Sequence, residues 1–185
     1  VFTNVVGVDE DLGYGVMRVT RDQGWKPSNL AQPLRNLLMA VTFEWGIGLH
    51  DLHSEKLRAT TDADKSTHIK TFARKIARQA VKDYALYPSL SGRRWLRTLK
   101  ANVTANLLRN VWAYVVISCG HFADGAEKFT AAALKDETKP EWYLRQMLGT
   151  ANFNAGPVMA FMSGNLCYQI EHHLFPDLPS NRYAE

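Results

Sequence analysis

The chain has 185 residues, 46% of them hydrophobic, with 22 Lys or Arg against 18 Asp or Glu and a net charge of +4. That length accommodates one ordinary domain with a core, and two cysteines without Cys-x-x-Cys spacing argue against a disulfide framework. The basic excess lacks the aromatic and basic interleaving of a nucleic-acid groove, and no Gly-x-Gly-x-x-Gly, Walker loop, Gly-x-Ser-x-Gly or internal repeat is present, so nothing points to a nucleotide fold or a serine hydrolase.

The segment up to Asn29 alternates turn residues with short apolar pieces. Val16 to Thr20 is predicted as a brief strand, Gly13-Tyr14-Gly15 as a loop and Asp9-Glu10-Asp11 as a solvated turn, since no alternating-ligand calcium loop comes after it. Pro33 suits a first helical position. Leu34 to His50 is the first predicted transmembrane helix, with a buried helix of a soluble domain as the alternative. Glu44 stands in its middle, where an acidic group costs at least ~2.5 kcal/mol in a bilayer, so it must face protein or a polar cavity. His50 and His53, spaced i, i+3, read as an interface pair, and His68 as a surface residue.

Residues 51–103 are charged, with twelve Lys or Arg against five Asp or Glu. From Asp64 to Tyr87 the pattern is helical: Ile69, Phe72, Ala73, Ile76, Ala80 and Tyr84 on one side, Lys70, Arg74, Arg78 and Lys82 on the other. This basic amphipathic helix suits an anionic bilayer surface, the phosphates of an acyl-coenzyme A, or plain solvent. If both flanking stretches cross a membrane, this loop lies opposite the C-terminal histidines, whereas short basic loops prefer the cytoplasm. A re-entrant stretch or a catalytic-side contact would resolve that conflict.

Val103 to Gly120 is the second predicted transmembrane helix, with Arg109 near one end able to snorkel. His121 comes directly after it, as a ligand facing a catalytic compartment or as a cap at the negative end of the helix dipole. Pro157 to Leu174 is predicted as a single helix ending before Pro176. It carries Gln169-Ile170-Glu171-His172-His173, and helical spacing sets Gln169, His172 and His173 on one face. Imidazoles suit iron, zinc or copper, and a Gln ligates through its carbonyl or orients a ligand.

The wider string from Gly164 to Pro179 resembles the third histidine box of membrane fatty acid desaturases, and its leading Gln is similar to the acyl-lipid and front-end branch. Cys119 to Glu127 and Trp142 to Asn154 resemble segments of the same family, and Phe2-Thr3-Asn4 with Gly7-Val8-Asp9 is similar to the family's stretch just after the second box. The first two boxes, His-x-x-x-His and His-x-x-His-His, are absent. The resemblance implies that residues 1–185 are the C-terminal part of one desaturase domain, inactive alone. It implies an all-α, membrane-integral fold with its catalytic side in the cytoplasm. It also implies two iron ions, with His172, His173, Gln169 and His121 among the metal-binding residues, and electrons from a small redox carrier. The implied partners are membrane lipid, an acyl-CoA or acyl-lipid substrate and an electron-donor protein. A hydroxylase on the same scaffold and a non-catalytic peripheral membrane module with incidental histidines are the alternatives.

Overall fold

The computed structural model describes residues 2–9, 12–15, 17–21, 23–58 and 61–185, and for residues 14, 53–58, 119 and 121 the backbone alone. Among these residues eight α-helices occur in order: α1 (Gln32–Val41), α2 (Phe43–Arg58), α3 (Asp62–Val81), α4 (Tyr87–Leu90), α5 (Trp95–His121), α6 (Lys139–Leu148), α7 (Pro157–Met162) and α8 (Gln169–Leu174). The described residues contain no strand beyond an isolated parallel bridge between Val5 and Phe129. The all-α expectation therefore holds, whereas the strand at Val16 to Thr20 is corrected. Val16 lies outside the described residues, and the N–H groups of Val19 and Thr20 donate to Gln23 Oε1 at 2.7 and 3.1 Å, not to a ladder.

Contacts divide the chain into two compact units, residues 34–112 and residues 1–33 with 113–185. Within residues 34–112, the first predicted span is not one helix. The Thr42 hydroxyl donates to Leu38 O at 2.7 Å, and Trp45 N–H turns to Thr42 O at 2.9 Å, so the ladder breaks between α1 and α2. Asn110 repairs the break: its amide donates to Val41 O at 3.0 Å and accepts from Glu44 N–H at 3.1 Å. Glu44 is met by the Arg109 guanidinium and by Gln79 Nε2 at 2.8 Å, in keeping with its need for a protein partner.

The second predicted span lies inside the 27-residue α5, which is long enough to cross a bilayer but not apolar enough. Asn102, Asn106, Arg109 and Asn110 fill its middle, and Asn106 Nδ2 donates to Asp83 Oδ2 at 3.2 Å and Tyr84 OH at 3.0 Å. Among the described residues no helix is long and apolar enough to cross a membrane, so the two predicted transmembrane helices are corrected.

The basic helix is present as α3, capped by Thr61, whose hydroxyl oxygen accepts from Asp64 N–H. It runs on through a π-helical turn, Lys82–Leu86, that buries Asp83. Phe72, Ile76, Ala80 and Tyr84 are half-buried and Lys70, Arg74, Arg78 and Lys82 exposed, as the pattern predicts, but Ile69 and Ala73 are exposed as well. Phe72 packs so closely on α2 that a Cβ at Gly48 would stand 2.7 Å from its ring.

In the other unit, the helix predicted over Pro157 to Leu174 is two helices. α7 ends in a Schellman motif: Asn165 N–H donates to Ala160 O at 2.8 Å and Gly164 N–H to Phe161 O at 3.1 Å. Gly164 and Asn165 have φ of 64° and 62°, a left-handed conformation that stops one helix and lets the next start in a new direction. Gly164→Ala is expected to lower stability by about 1–2 kcal/mol through the strained φ alone, since a Cβ there would meet nothing within 4 Å. Equilibrium denaturation of the variant and the parent checks this.

Candidate functional site

The box is built from the short helix α8, and its surroundings come from far away in sequence. The stretch Thr3 to Val6 is clamped onto the segment around Phe129: Val6 N–H donates to Phe129 O at 2.8 Å and Phe129 N–H to Asn4 O at 2.9 Å. Asn4, at φ 56°, sends its side-chain amide to Gly149 O at 2.5 Å and Glu127 O at 3.1 Å. This fixes Thr3, 4% exposed, beside α6 and α8.

α6 starts with a capping box in which Thr138 N–H and its hydroxyl donate to Glu141 Oε2 at 2.7 and 2.6 Å. That orientation buries Arg145 and Gln146. Arg145 forks onto Glu137, Nε to Oε1 at 2.6 Å and Nη2 to Oε2 at 2.9 Å. Gln146, fully buried, accepts from the Thr3 hydroxyl at 2.5 Å.

On α8, Gln169 and His173 are buried, and His172 is half-buried. Thr3 Oγ1 has one proton, given to Gln146, so the same oxygen accepts from His173 Nδ1 at 3.0 Å. His173 Nε2 then carries a lone pair and accepts from Gln169 Nε2 at 3.1 Å. His172 Nδ1 shares a hydrogen bond of 3.1 Å with the hydroxyl of the buried Tyr183. The two imidazole centroids are 5.5 Å apart, with planes inclined by 73°.

Asn152 fastens the start of the helix: its Oδ1 accepts from Ile170 N–H at 2.9 Å and its Nδ2 donates to Glu171 Oε2 at 2.8 Å. The last turn of α5 reaches the box too, since a Cβ on Gly120 would stand 3.0 Å from Gln169 Oε1.

Of the four residues expected to bind metal, Gln169, His172 and His173 share one helix, and Gln169 and His173 meet directly. The side chain of His121 lies outside the described residues, although the backbone of α5 ends there. His53 is likewise described only by its backbone, and His50 is half-buried on α2. His68 is half-buried and lines a cleft of about 270 Å³ with Glu44, Trp45, Asp51 and Lys75, so it is not a plain surface residue. Among the described residues no three His, Cys, Asp or Glu stand close enough to hold a metal ion. Thr3, Gln146, Asn152 and Tyr183 escaped the sequence reading as site residues. Thr3 is 170 positions from the histidine it touches, and only its place in the resembling Phe2-Thr3-Asn4 run marked it.

Residues 3–185 match the family model for fatty acid desaturases. The chain is 54% identical over 191 residues to the NADPH-dependent stearoyl-CoA 9-desaturase of Mycobacterium tuberculosis, in two strains, a match covering 100% of this chain and 44% of each relative. It therefore spans less than half the length of these curated relatives, and no solved structure matches it. With the family match running through the clamped N-terminal stretch, α6 and the histidine helix alike, the chain belongs to the fatty acid desaturase family.

Proposed function

We propose that residues 1–185 contribute the third histidine box of an oxygen-dependent acyl-chain desaturase, with His172 and His173 as iron ligands. Gln169 ligates beside them or orients one of them. The observation that carries this reading is the pair of adjacent imidazoles on one helical turn, each engaged through Nδ1 by a hydroxyl. The donor set fits iron: imidazole nitrogens suit it, and a ligating histidine ordinarily has its second ring nitrogen hydrogen-bonded. The site is completed by ligands from the family's other boxes, which lie outside this sequence, and by His121, giving two irons in the whole protein.

Iron, when bound, supplies the oxidising power toward an unactivated C–H bond that no side chain has. Two hydrogens leave neighbouring acyl carbons and, together with one O2, two electrons and two protons, become two waters. The chain's part is to hold the imidazoles in one orientation and to keep the box rigid through Asn152 and Thr3. The name of the relatives supports an acyl-CoA substrate and NADPH as the source of electrons, delivered through a small carrier protein. Exposed Leu34, Leu37 and Leu38 on α1, and Leu107, Leu108 and Val111 on α5, support a setting against lipid. The basic face of α3 suits anionic headgroups or coenzyme A phosphates. The buried free Cys167 fits a site on the reducing, cytoplasmic side.

The test is to express the complete reading frame and supply stearoyl-CoA, O2, NADPH and a reductase fraction, then measure product and iron together. An 18-carbon monoene with two irons per chain is expected. An oxygenated product would replace the desaturase by a hydroxylase, and a metal-free protein that binds anionic vesicles would replace it by a membrane-binding module.

A further inference from the structure

We infer that Thr3 and Tyr183 are positioning residues for the two box histidines: Thr3 fixes His173 with the proton on Nδ1, leaving the Nε2 lone pair, which here accepts from Gln169 Nε2, as the atom that would ligate, and Tyr183 holds the ring of His172 through its Nδ1. The inference rests on the iron-binding reading above, but its evidence is separate. Thr3 is buried, and its short bond to Gln146 Oε1 uses its only proton, which obliges its oxygen to accept from His173 Nδ1. Gln146 is in turn held by its place on α6 next to the buried Arg145–Glu137 pair. The Tyr183 hydroxyl is 3.1 Å from His172 Nδ1, with the ring buried and its centroid 6.0 Å from the imidazole.

The two hydroxyls come from opposite ends of the sequence, one before α1 and the other after α8. Each therefore ties the orientation of a histidine to a different part of the unit formed by residues 1–33 and 113–185. A neutral imidazole has one donor nitrogen and one acceptor nitrogen, and a hydrogen bond at the first decides which atom can ligate. Losing such a partner typically costs 10–100-fold in metal affinity.

The experiment uses the protein from its complete reading frame, as wild type, Thr3→Val, Thr3→Ser and Tyr183→Phe, each nearly isosteric. Iron affinity is measured by competition with a chelator, and 15N spectra of the metal-free protein report the ring tautomers. Retained helical circular dichroism and melting behaviour select folded variants. Thr3→Val and Tyr183→Phe are expected to weaken iron binding about 10–100-fold, and Thr3→Ser to restore it. The wild-type spectra should show the proton on Nδ1 of His173, with that preference lost in Thr3→Val. Wild type that binds iron while both hydroxyl deletions bind within about twofold of it would overturn the inference and leave the iron reading standing. A wild-type proton on Nε2 of His173 would overturn it too, whatever the affinities. Absence of iron from the wild type would overturn the functional reading, and with it any role for these hydroxyls in metal binding.

Discussion

His173→Ala is expected to abolish desaturation by the complete protein and to destabilise it at the same time. His173 is 8% exposed, and its two ring nitrogens meet Thr3 and Gln169. Truncation leaves the Gln169 amide and the Thr3 hydroxyl without these partners in a buried space, at about 1–3 kcal/mol for each group left unsatisfied. Loss of a ligand should cost more than loss of a group behind one, so acyl-chain product should fall by more than ~100-fold. His172→Ala offers the contrast, because His172 is only half-buried. Its product loss should match, but its melting temperature should fall less. Gas chromatography of the acyl chains and thermal scans of the two variants check both halves. Product from His173→Ala within about tenfold of the parent would remove His173 from the ligand set.

The features legible in the sequence were local. Gln169 and His173 meet because i and i+4 share a helical face, and the half-buried row Phe72, Ile76, Ala80 and Tyr84 arises from the same period. The misreadings came where a distant partner decides the outcome. The break at Thr42 is tolerable because Asn110, nearly seventy residues on, takes up both freed backbone groups. An apolar count over Leu34 to His50 contains no trace of that amide. Arg109 reads in the sequence as a residue able to snorkel near one end of a span, yet it and Asn102, Asn106 and Asn110 each bond to another element. Gly164 and Asn165 are a different case. A Gly-Asn pair after an apolar run is a helix stop signal, and it stands in the sequence inside the stretch predicted as a single helix.

Glu137→Ala is expected to be the most destabilising single change remote from the histidines. Arg145 is 4% exposed and Glu137 13%, and the guanidinium meets the carboxylate in a two-pronged fork. Such a pair does little net stabilising by itself. Removing one partner, however, strands the other charge, at about 3–5 kcal/mol, or a fall in melting temperature of roughly 6–20 °C for a chain of this size. Arg145 also donates to Thr3 O at 3.4 Å, so the stranded charge sits against the residue that steadies His173. The pH dependence has a definite sign. The Arg145 hydrogen bond is the largest influence on Glu137 and outweighs burial, holding its carboxyl below the ordinary value of 4.5. A carboxyl depressed in the folded state contributes its stability in full above the unfolded value, and loses it as pH falls through the folded one. Wild type and Glu137→Gln should therefore differ most in melting temperature at neutral pH, with the gap narrowing as pH falls below the ordinary carboxyl value of 4.5 and closing only below the depressed folded-state value. A gap that stays constant however far pH falls below 4.5 would mean that the carboxylate is not the form that holds Arg145.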